Sequence, residues 1–276
     1  MQRTFRQVDV FAESALAGNP LAVVVDGDGM TSEQMQRFAN WTNLSETTFL
    51  LPPTAADADY RVRIFTPVSE LPFAGHPTLG SCRVWLDLGG RPKRSDQVLQ
   101  QCEAGLIPIA RRGDLLSFRA PPLLRSGPLD AETLATASAE LGIDTAAVID
   151  SAWIDNGPGW LGLLLADAAS VLAVTPGVVT MDIGLIGPHP DGVDAAFELR
   201  AFFPKNGSTA EDPVTGSLNA SAAQWLLATG RATSPYLATQ GTALGRSGRV
   251  YITSGEDGSV WVGGQVMTIM SGTVEL

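Results

Sequence analysis

Two stretches of the sequence resemble one another although they lie half a chain apart. RIFTP at 63–67 matches RAFFP at 200–204, since Arg, Phe and Pro recur at an offset of 137 residues. HPTLGS at 76–81 matches DPVTGS at 212–217, since Pro, Gly and Ser recur at an offset of 136 residues. In both places a strand pattern leads through a loop into a helix pattern. The repeat therefore predicts that one fold unit is duplicated.

Strand and helix patterns are mixed along the whole chain, which predicts an α+β fold. Helices are expected near 31–42, 78–88 and 129–142, and Thr31 with Gln34 forms a capping box at the first of them. Strands are expected at 4–12, 20–25, 46–51, 60–67, 106–122 (a hairpin), 160–165, 178–186, 195–203, 249–253 and 259–263.

A pair of prolines, Pro121 and Pro122, ends the predicted hairpin and is the best candidate for a domain boundary. Together with the repeat, it predicts two similar domains, 1–119 and 120–276.

Composition and charge exclude several classes of partner. The 276 residues carry a formal net charge of −11 and contain no long basic run, which argues against nucleic acid. The longest apolar stretch, 160–174, contains Asp167 and is too short for a membrane span. The N-terminus has no apolar core of a secretory signal. Cys82 and Cys102 allow one disulfide but fit a reduced chain better. We therefore expect a cytoplasmic protein.

The repeat places His76 and Asp212 at the start of two helices, each with a proline behind it at the first helical position. Helix N-termini offer unpaired N–H groups and a positive dipole end, which suit a carboxylate or an enolate. The small residues of the same motifs would let a ligand approach the first turn. They are Gly80, Ser81, Gly216 and Ser217.

Glu46, in NLSETTF, is unusual because glutamate is depleted in strands and yet leads into one here. Glu46, His76 and Asp212 together form a sensible acid–base set. Each also has a structural explanation. Asp212 could simply cap its helix, His76 could lie buried or in a surface turn, and Glu46 could stand on an edge strand.

Two further motifs argue less strongly for a site. GPGWLG at 157–162 matches a dinucleotide-binding pattern, with Asp182 at a suitable distance, but its glycines lead into a strand and Trp160 would crowd a pyrophosphate. PHPDG could bring His189 and Asp191 to a metal ion, although a polar turn is the simpler interpretation, and the role of His189 stays open. We predict no metal site.

Five motifs, taken in order and spacing, resemble the PhzF-like phenazine-biosynthesis isomerase family. They are VDVFAESALAGNPLAVV, NLSETTF, FTPVSELPFAGHPTLGS, AEDPVTGS and QGTALGR. The resemblance implies a diaminopimelate-epimerase-like fold of two pseudo-symmetric domains, each a curved β-sheet or barrel around a central helix, with the active site in the cleft between them. It also implies a homodimer that uses no cofactor.

The resemblance further implies site residues and an activity. The best-known reaction of the family is the isomerisation of trans-2,3-dihydro-3-hydroxyanthranilate by proton transfer. The family's catalytic glutamate, histidine and aspartate match Glu46, His76 and Asp212. The substrate-binding residues match Gly75, Gly216 and Ser217.

Racemases of this fold often use two thiols, one at each helix start. Here Cys82 lies inside the predicted first helix and Cys102 lies between motifs, so a two-thiol racemase is not expected. We expect an isomerase acting on a small unsaturated carboxylate. An epimerase or lyase acting on a related carboxylate, or a non-catalytic binding protein on the same scaffold, remains an alternative.

Overall fold

A computed structural model describes residues 1–276 and contains eighteen strands and five α-helices. The strands are β1 Gln2–Val10, β2 Asn19–Val24, β3 Thr47–Leu51, β4 Tyr60–Phe65, β5 Glu70–Leu71, β6 Gln97–Cys102, β7 Gly105–Arg112, β8 Leu115–Arg119, β9 Arg125–Pro128, β10 Asp150–Asp155, β11 Leu161–Leu164, β12 Ile183–Pro188, β13 Phe197–Lys205, β14 Ser208–Asp212, β15 Tyr236–Gln240, β16 Gly248–Ser254, β17 Val260–Gly264 and β18 Val266–Glu275. The helices are α1 Ser32–Thr42, α2 Gly75–Asp87, α3 Ala131–Leu141, α4 Ala168–Ala173 and α5 Gly216–Ala228. None of these helices is both long enough and apolar enough to span a bilayer.

The chain divides into two compact units, which we call unit 1 and unit 2. Unit 1 comprises residues 1–119 and 263–276, and unit 2 comprises residues 120–262. The predicted second domain, 120–276, therefore extends too far. Its last residues belong to unit 1 because β18 pairs with β1 along almost its whole length, from Gln2↔Glu275 to Val10↔Val266.

In unit 1, the strands follow one continuous series of pairings. β18 is antiparallel to β1, β1 is antiparallel to β2, and β2 is parallel to β3. β3 is antiparallel to β4, which also pairs with the short β5 and runs parallel to β6, and β6 continues into β7 and β8. Helix α2 packs against most of these strands and is buried over most of its length.

In unit 2, the same series of pairings recurs. β9 is antiparallel to β10, β10 is antiparallel to β11, and β11 is parallel to β12. β12 is antiparallel to β13, which also pairs with β14 and runs parallel to β15, and β15 continues into β16. Helix α5, which has the same length as α2, is again largely buried. The prediction of an α+β fold with two similar units, each a sheet around a central helix, is confirmed.

An Arg–Glu ion pair in each unit shows how the two units correspond residue by residue. In unit 1, Arg63 donates to both carboxylate oxygens of Glu70, and in unit 2, Arg200 does the same with Glu211. Each arginine also lies over a phenylalanine two residues further along its strand. Glu70 and Glu211 are 141 residues apart, so the repeat past the loop is ELPFAGH against EDPVTGS, with Glu, Pro and Gly in common.

This register corrects the match of HPTLGS with DPVTGS. Gly75 and Gly216 both begin a helix, so the place of His76 is taken in unit 2 by Ser217 and not by Asp212. Asp212 lies at the end of β14, in the place of Leu71 at the end of β5. The short motif was misleading because a Gly-Ser pair occurs by chance five residues inside α2.

The expected helix boundary in unit 1 is also wrong. Helix α2 begins at Gly75, so Pro77 is its third residue and not its first. Gly80 and Ser81 do not keep the helix end open to a ligand. A Cβ atom on Gly80 would lie 2.5 Å from the Leu21 side chain, and Ser81 is fully buried with its hydroxyl bonded to Thr48. Both residues are small because α2 packs closely on the sheet.

Candidate active site

Glu46 and His76 lie next to one another in unit 1. Glu46 directly precedes β3, in a short turn that follows the left-handed C-cap Asn43 of α1 and is bridged by a 2.8 Å hydrogen bond between the Thr42 and Thr47 hydroxyls. His76 is the second residue of α2. Its Nε2 atom is 3.4 Å from Oε2 of Glu46, and the two side chains are 5% and 16% exposed. The structure thus brings together two of the three predicted acid–base residues.

The protonation state of His76 follows from its surroundings. Burial lowers the pKa of His76 to about 3, because a charged imidazolium is poorly solvated inside a protein. At neutral pH the ring is therefore uncharged, and one of its nitrogens can accept a hydrogen bond while the other donates one.

Gly75 brings the first turn of α2 close to the sheet. A Cβ atom on Gly75 would lie 2.5 Å from the ring of Phe118, which in turn makes an edge-to-face contact with Phe73. Any larger residue would push this turn, and His76 with it, away from its position. Packing thus gives Gly75 a structural role, and its predicted role in substrate binding stays a prediction.

Asp212 lies in unit 2 and is held by the residue that caps α5. The Thr215 hydroxyl donates to Oδ2 of Asp212 at 2.7 Å. Gln240, fully buried on β15, bonds to the backbone of both residues. Asp212 thus carries an oriented carboxyl group just before the first turn of α5. That it acts together with Glu46 and His76 stays a prediction.

Ser217, the second residue of α5, is contacted by the loop between β10 and β11. The indole N–H of Trp160 donates to Oγ of Ser217 at 2.9 Å, and Nδ2 of Asn156 donates to its backbone oxygen at 2.9 Å. Because Trp160 can only donate, the Ser217 oxygen accepts this bond, and the hydroxyl proton is not used in it. Ser217 and Gly216 therefore present a hydroxyl donor and first-turn backbone, as a carboxylate would require.

Asp182 stands in unit 2 where Glu46 stands in unit 1. Thr47, after Glu46, pairs with Phe65, and Ile183, after Asp182, pairs with the equivalent Phe202. Burial raises the pKa of Asp182 to about 6, with a further contribution from the charge of Asp155. In the sequence, Asp182 stood out only as part of a dinucleotide-binding pattern, and the glycines before it do lead into strand β11.

The remaining candidates lie elsewhere. Nε2 of His189 is 2.8 Å from the Thr239 hydroxyl and 3.6 Å from the buried Glu198. No group of three or more His, Cys, Asp or Glu side chains is arranged to hold a metal ion. Cys82 and Cys102 are free and buried, and burial raises the pKa of Cys82 to about 12. A thiol with so high a pKa stays protonated at neutral pH and provides no thiolate to accept a proton.

Several residues that shape the site do not stand out in the sequence. Thr215 and Gln240 orient Asp212, and Asn156 and Trp160 hold Ser217. One signal was available, since Glu-x-Pro-x-x-Gly occurs at both 70–75 and 211–216. That register would have paired His76 with Ser217. Gln240 belongs to the motif QGTALGR, to which the sequence alone assigned no role.

Comparison with known proteins identifies the family. The family model described as "Phenazine biosynthesis-like protein" (PhzC-PhzF) matches residues 8–272. The chain belongs to this family. A solved PhzF-family structure from Bacillus anthracis shares the fold, with a TM-score of 0.84 over 100% of both chains at 20% sequence identity.

Two relatives of the family differ in how much of the chain they match. Antisense-enhancing sequence 1 of Schizosaccharomyces pombe is 36% identical and covers 98% of this chain and of its own. Trans-2,3-dihydro-3-hydroxyanthranilate isomerase of Pseudomonas aeruginosa is 48% identical over a segment that covers 37% of this chain and 35% of its own. Family membership and the isomerase names of its relatives identify the chain as an isomerase.

Proposed function

We propose that this protein isomerises a small unsaturated carboxylate by moving one proton, with Glu46 as both the base that removes it and the acid that returns it. The observation that carries the proposal is the contact between Glu46 and His76, a carboxyl group 3.4 Å from a buried neutral imidazole. A carboxylate and an imidazole within reach of one another are the groups that proton transfer at carbon requires.

The reaction is balanced without an added oxidant or reductant. Glu46 takes a proton from a carbon next to a double bond or a carboxylate, and the electron pair spreads into that conjugated system. Protonated Glu46 then returns a proton to the other end of the system, so the double bond moves and the atom count stays the same. His76 remains neutral and forms a hydrogen bond with Glu46 or with the substrate.

Unit 2 contributes donors for the negative charge. The proton of the Ser217 hydroxyl and the first-turn N–H groups near Gly216 suit the carboxylate of such a substrate, and they suit the delocalised anion as well. Asp212 holds an amino or hydroxyl group of the substrate. This assignment favours a substrate of the trans-2,3-dihydro-3-hydroxyanthranilate type. The Pseudomonas aeruginosa relative, which matches about a third of the chain, is named for the isomerisation of that compound.

The first prediction concerns the base. Glu46→Gln keeps the shape of the side chain but cannot accept the proton, so turnover of trans-2,3-dihydro-3-hydroxyanthranilate should fall by at least about 10²–10⁴-fold. Initial rates followed by absorbance would measure this loss. Glu103→Gln is the matched control, because Glu103 is an exposed glutamate of the same unit and should keep the wild-type rate. A Glu46→Gln enzyme as fast as Glu103→Gln would remove Glu46 from the mechanism.

Turnover in D₂O separates the isomerase from its alternatives. Isomerisation through an exchanging carboxyl group places deuterium at the new C–H position of a rearranged product, as seen by proton NMR. Exchange without a shifted double bond would instead identify an epimerase, and loss of water would identify a lyase. Saturable binding with neither exchange nor product would favour a binding protein.

A further inference from the structure

The motif QGTALGR at 240–246 is hydrogen-bonded to the segment that carries Asp212. Gln240 is fully buried and uses its amide group four times. Its Oε1 accepts from the Thr215 backbone N–H at 2.9 Å and from Nδ2 of Asn219 at 2.8 Å. Its Nε2 donates to the Asp212 carbonyl at 3.0 Å and to the Thr215 hydroxyl at 2.9 Å. One side chain thus binds both residues.

The orientation of this amide is dictated by its backbone partners. The N–H of Thr215 can only donate and the carbonyl of Asp212 can only accept, so oxygen must face the first and nitrogen the second. Since the amide nitrogen can only donate, the Thr215 hydroxyl accepts from it. The single proton of that hydroxyl then goes to Oδ2 of Asp212, at 2.7 Å. The donor and the acceptor of each of these hydrogen bonds are therefore determined.

Gly241 and Gly248 let the chain around the QGTALGR motif approach the loop between Asp212 and Thr215. Gly241 has φ +92°, and a Cβ atom on it would lie 2.6 Å from the carbonyl oxygen of Pro213. A Cβ atom on Gly248 would lie 2.3 Å from the side chain of Val214. Either side chain would displace the loop between Asp212 and Thr215.

Unit 1 shows that the fold itself does not need the bond between Thr215 and Asp212. Leu71 stands in the place of Asp212 and Ala74 in the place of Thr215, and yet the strand end and the helix start are the same. Unit 1 also has a buried glutamine, Gln100, but it stands in the place of Ala238, since Gln100 pairs with Tyr60 and Ala238 pairs with the equivalent Phe197. The glutamine, the hydroxyl and the carboxylate are therefore all particular to unit 2.

We propose that Thr215 is a positioning residue for the isomerase reaction, and that Gln240 directs its hydroxyl proton onto Asp212 so that the carboxylate keeps one orientation. This inference rests on the proposed function, because it assumes that Asp212 contacts the substrate. A carboxylate that loses one of the donors that align it is held less firmly, and misplacing a reacting group by about 1 Å can cost on the order of 10²-fold in rate.

The experiment uses the same substitution at the two ends of one helix. Thr215→Val removes the aligning hydroxyl, and Thr229→Val removes a hydroxyl that donates to the Trp225 carbonyl at the far end of α5. We expect Thr215→Val to lower kcat by about 10- to 100-fold with little change in KM. Thr229→Val should keep the wild-type kcat, and Thr215→Ser should restore most of it. Urea unfolding of each variant separates loss of rate from loss of fold.

The outcomes distinguish this inference from the proposed function. If Asp212→Asn is inactive while Thr215→Val keeps the kcat of Thr229→Val, the positioning role is overturned and the proposed function stands. If Asp212→Asn keeps the wild-type rate, the inference falls together with the proposed role of Asp212, and Glu46→Gln decides separately on the proposed function. If Thr215→Val unfolds, the kcat values of Thr215→Ser and Thr215→Ala still test the inference, because only Thr215→Ser keeps a hydroxyl. Equal rates in those two variants would overturn the inference.

Discussion

The two units place different chemical groups on one scaffold. In both, an arginine on the fifth strand of the series, β4 or β13, binds a glutamate in the next hairpin, and a glycine begins the central helix. In both, a carboxylic acid precedes the fourth strand, Glu46 before β3 in unit 1 and Asp182 before β12 in unit 2. The residue after the helix glycine differs, because unit 1 has His76 and unit 2 has Ser217.

The difference separates the residues that the fold requires from those that the chemistry requires. Residues that recur in both units, such as the Arg–Glu pairs and the helix glycines, are explained by packing and by buried charge. Groups that occur in one unit only are His76, which contacts Glu46, and Asp212, which replaces a leucine. A duplicated scaffold thus serves as an internal control for assigning function.

The largest effect is expected from replacing His76, the residue by which the start of α2 differs from the start of α5. His76→Ser gives unit 1 the residue that unit 2 has, and should lower kcat/KM by about 10²–10⁴-fold because an imidazole is lost next to Glu46. Ser217→Ala removes a single hydroxyl donor and should cost about tenfold. Steady-state kinetics would measure both variants. Equal losses would mean that His76 and Ser217 contribute equally to catalysis. That result would contradict the difference drawn between the two units.

A smaller effect is expected from the shared Arg–Glu pairs, which differ in burial. Arg200 and Glu211 have side chains 6% and 12% exposed, whereas Arg63 and Glu70 are 25% and 29% exposed. Removing one partner of a buried pair leaves an uncompensated charge, so Glu211→Ala should lower the free energy of unfolding by about 3–5 kcal/mol.

Glu70→Ala is the matched variant in unit 1. Solvent screens the more exposed pair, so its loss should cost about 1 kcal/mol or less. Urea unfolding curves with an unchanged slope would measure the two free energies of unfolding. If Glu70→Ala is as destabilising as Glu211→Ala, burial does not distinguish the two pairs.

The sequence predicted the class of fold and the residues of unit 1 because local patterns determine them. The capping box of Thr31 and Gln34, for example, recurs in the structure as predicted. Glu46 and His76 were singled out as residues unusual for their local setting, and they do contact one another. The family motifs that contain them are contiguous in sequence and therefore visible.

Two kinds of feature were not predicted. The register of the repeat past the loop changes because the hairpin has a different length in each unit, and a match at a constant offset misses the Glu-x-Pro-x-x-Gly motif that shows the change. The partners of Asp212 and Ser217 come from distant positions such as Gln240 and Trp160, and only the folded strands bring them near. The homodimer and the site between the domains remain predictions.

The smallest expected effect concerns Asp182, the counterpart of Glu46. Its pKa is raised to about 6 by burial and then by Asp155, so between about pH 4 and 6 the folded protein holds a proton that the unfolded chain has released. Stability from this group is therefore present below about pH 4 and is lost as the pH rises to 6. Asp182→Asn removes the buried charge and should raise the Tm at pH 7 to 8, with no gain near pH 4.

Asp167→Asn tests the sign of this effect within the same unit. Asp167 caps α4, and the hydrogen bond from the Ser170 backbone N–H lowers its pKa. A carboxylate with a lowered pKa stabilises the fold above its unfolded pKa and loses this effect as the pH falls. Asp167→Asn should therefore lower the Tm slightly at pH 7, and this difference should shrink only below about pH 4. Differential scanning calorimetry of both variants across pH 4 to 8 should give differences of opposite sign. A rise in Tm for Asp182→Asn that is equal at all pH values would instead mean that its gain comes from packing and not from charge.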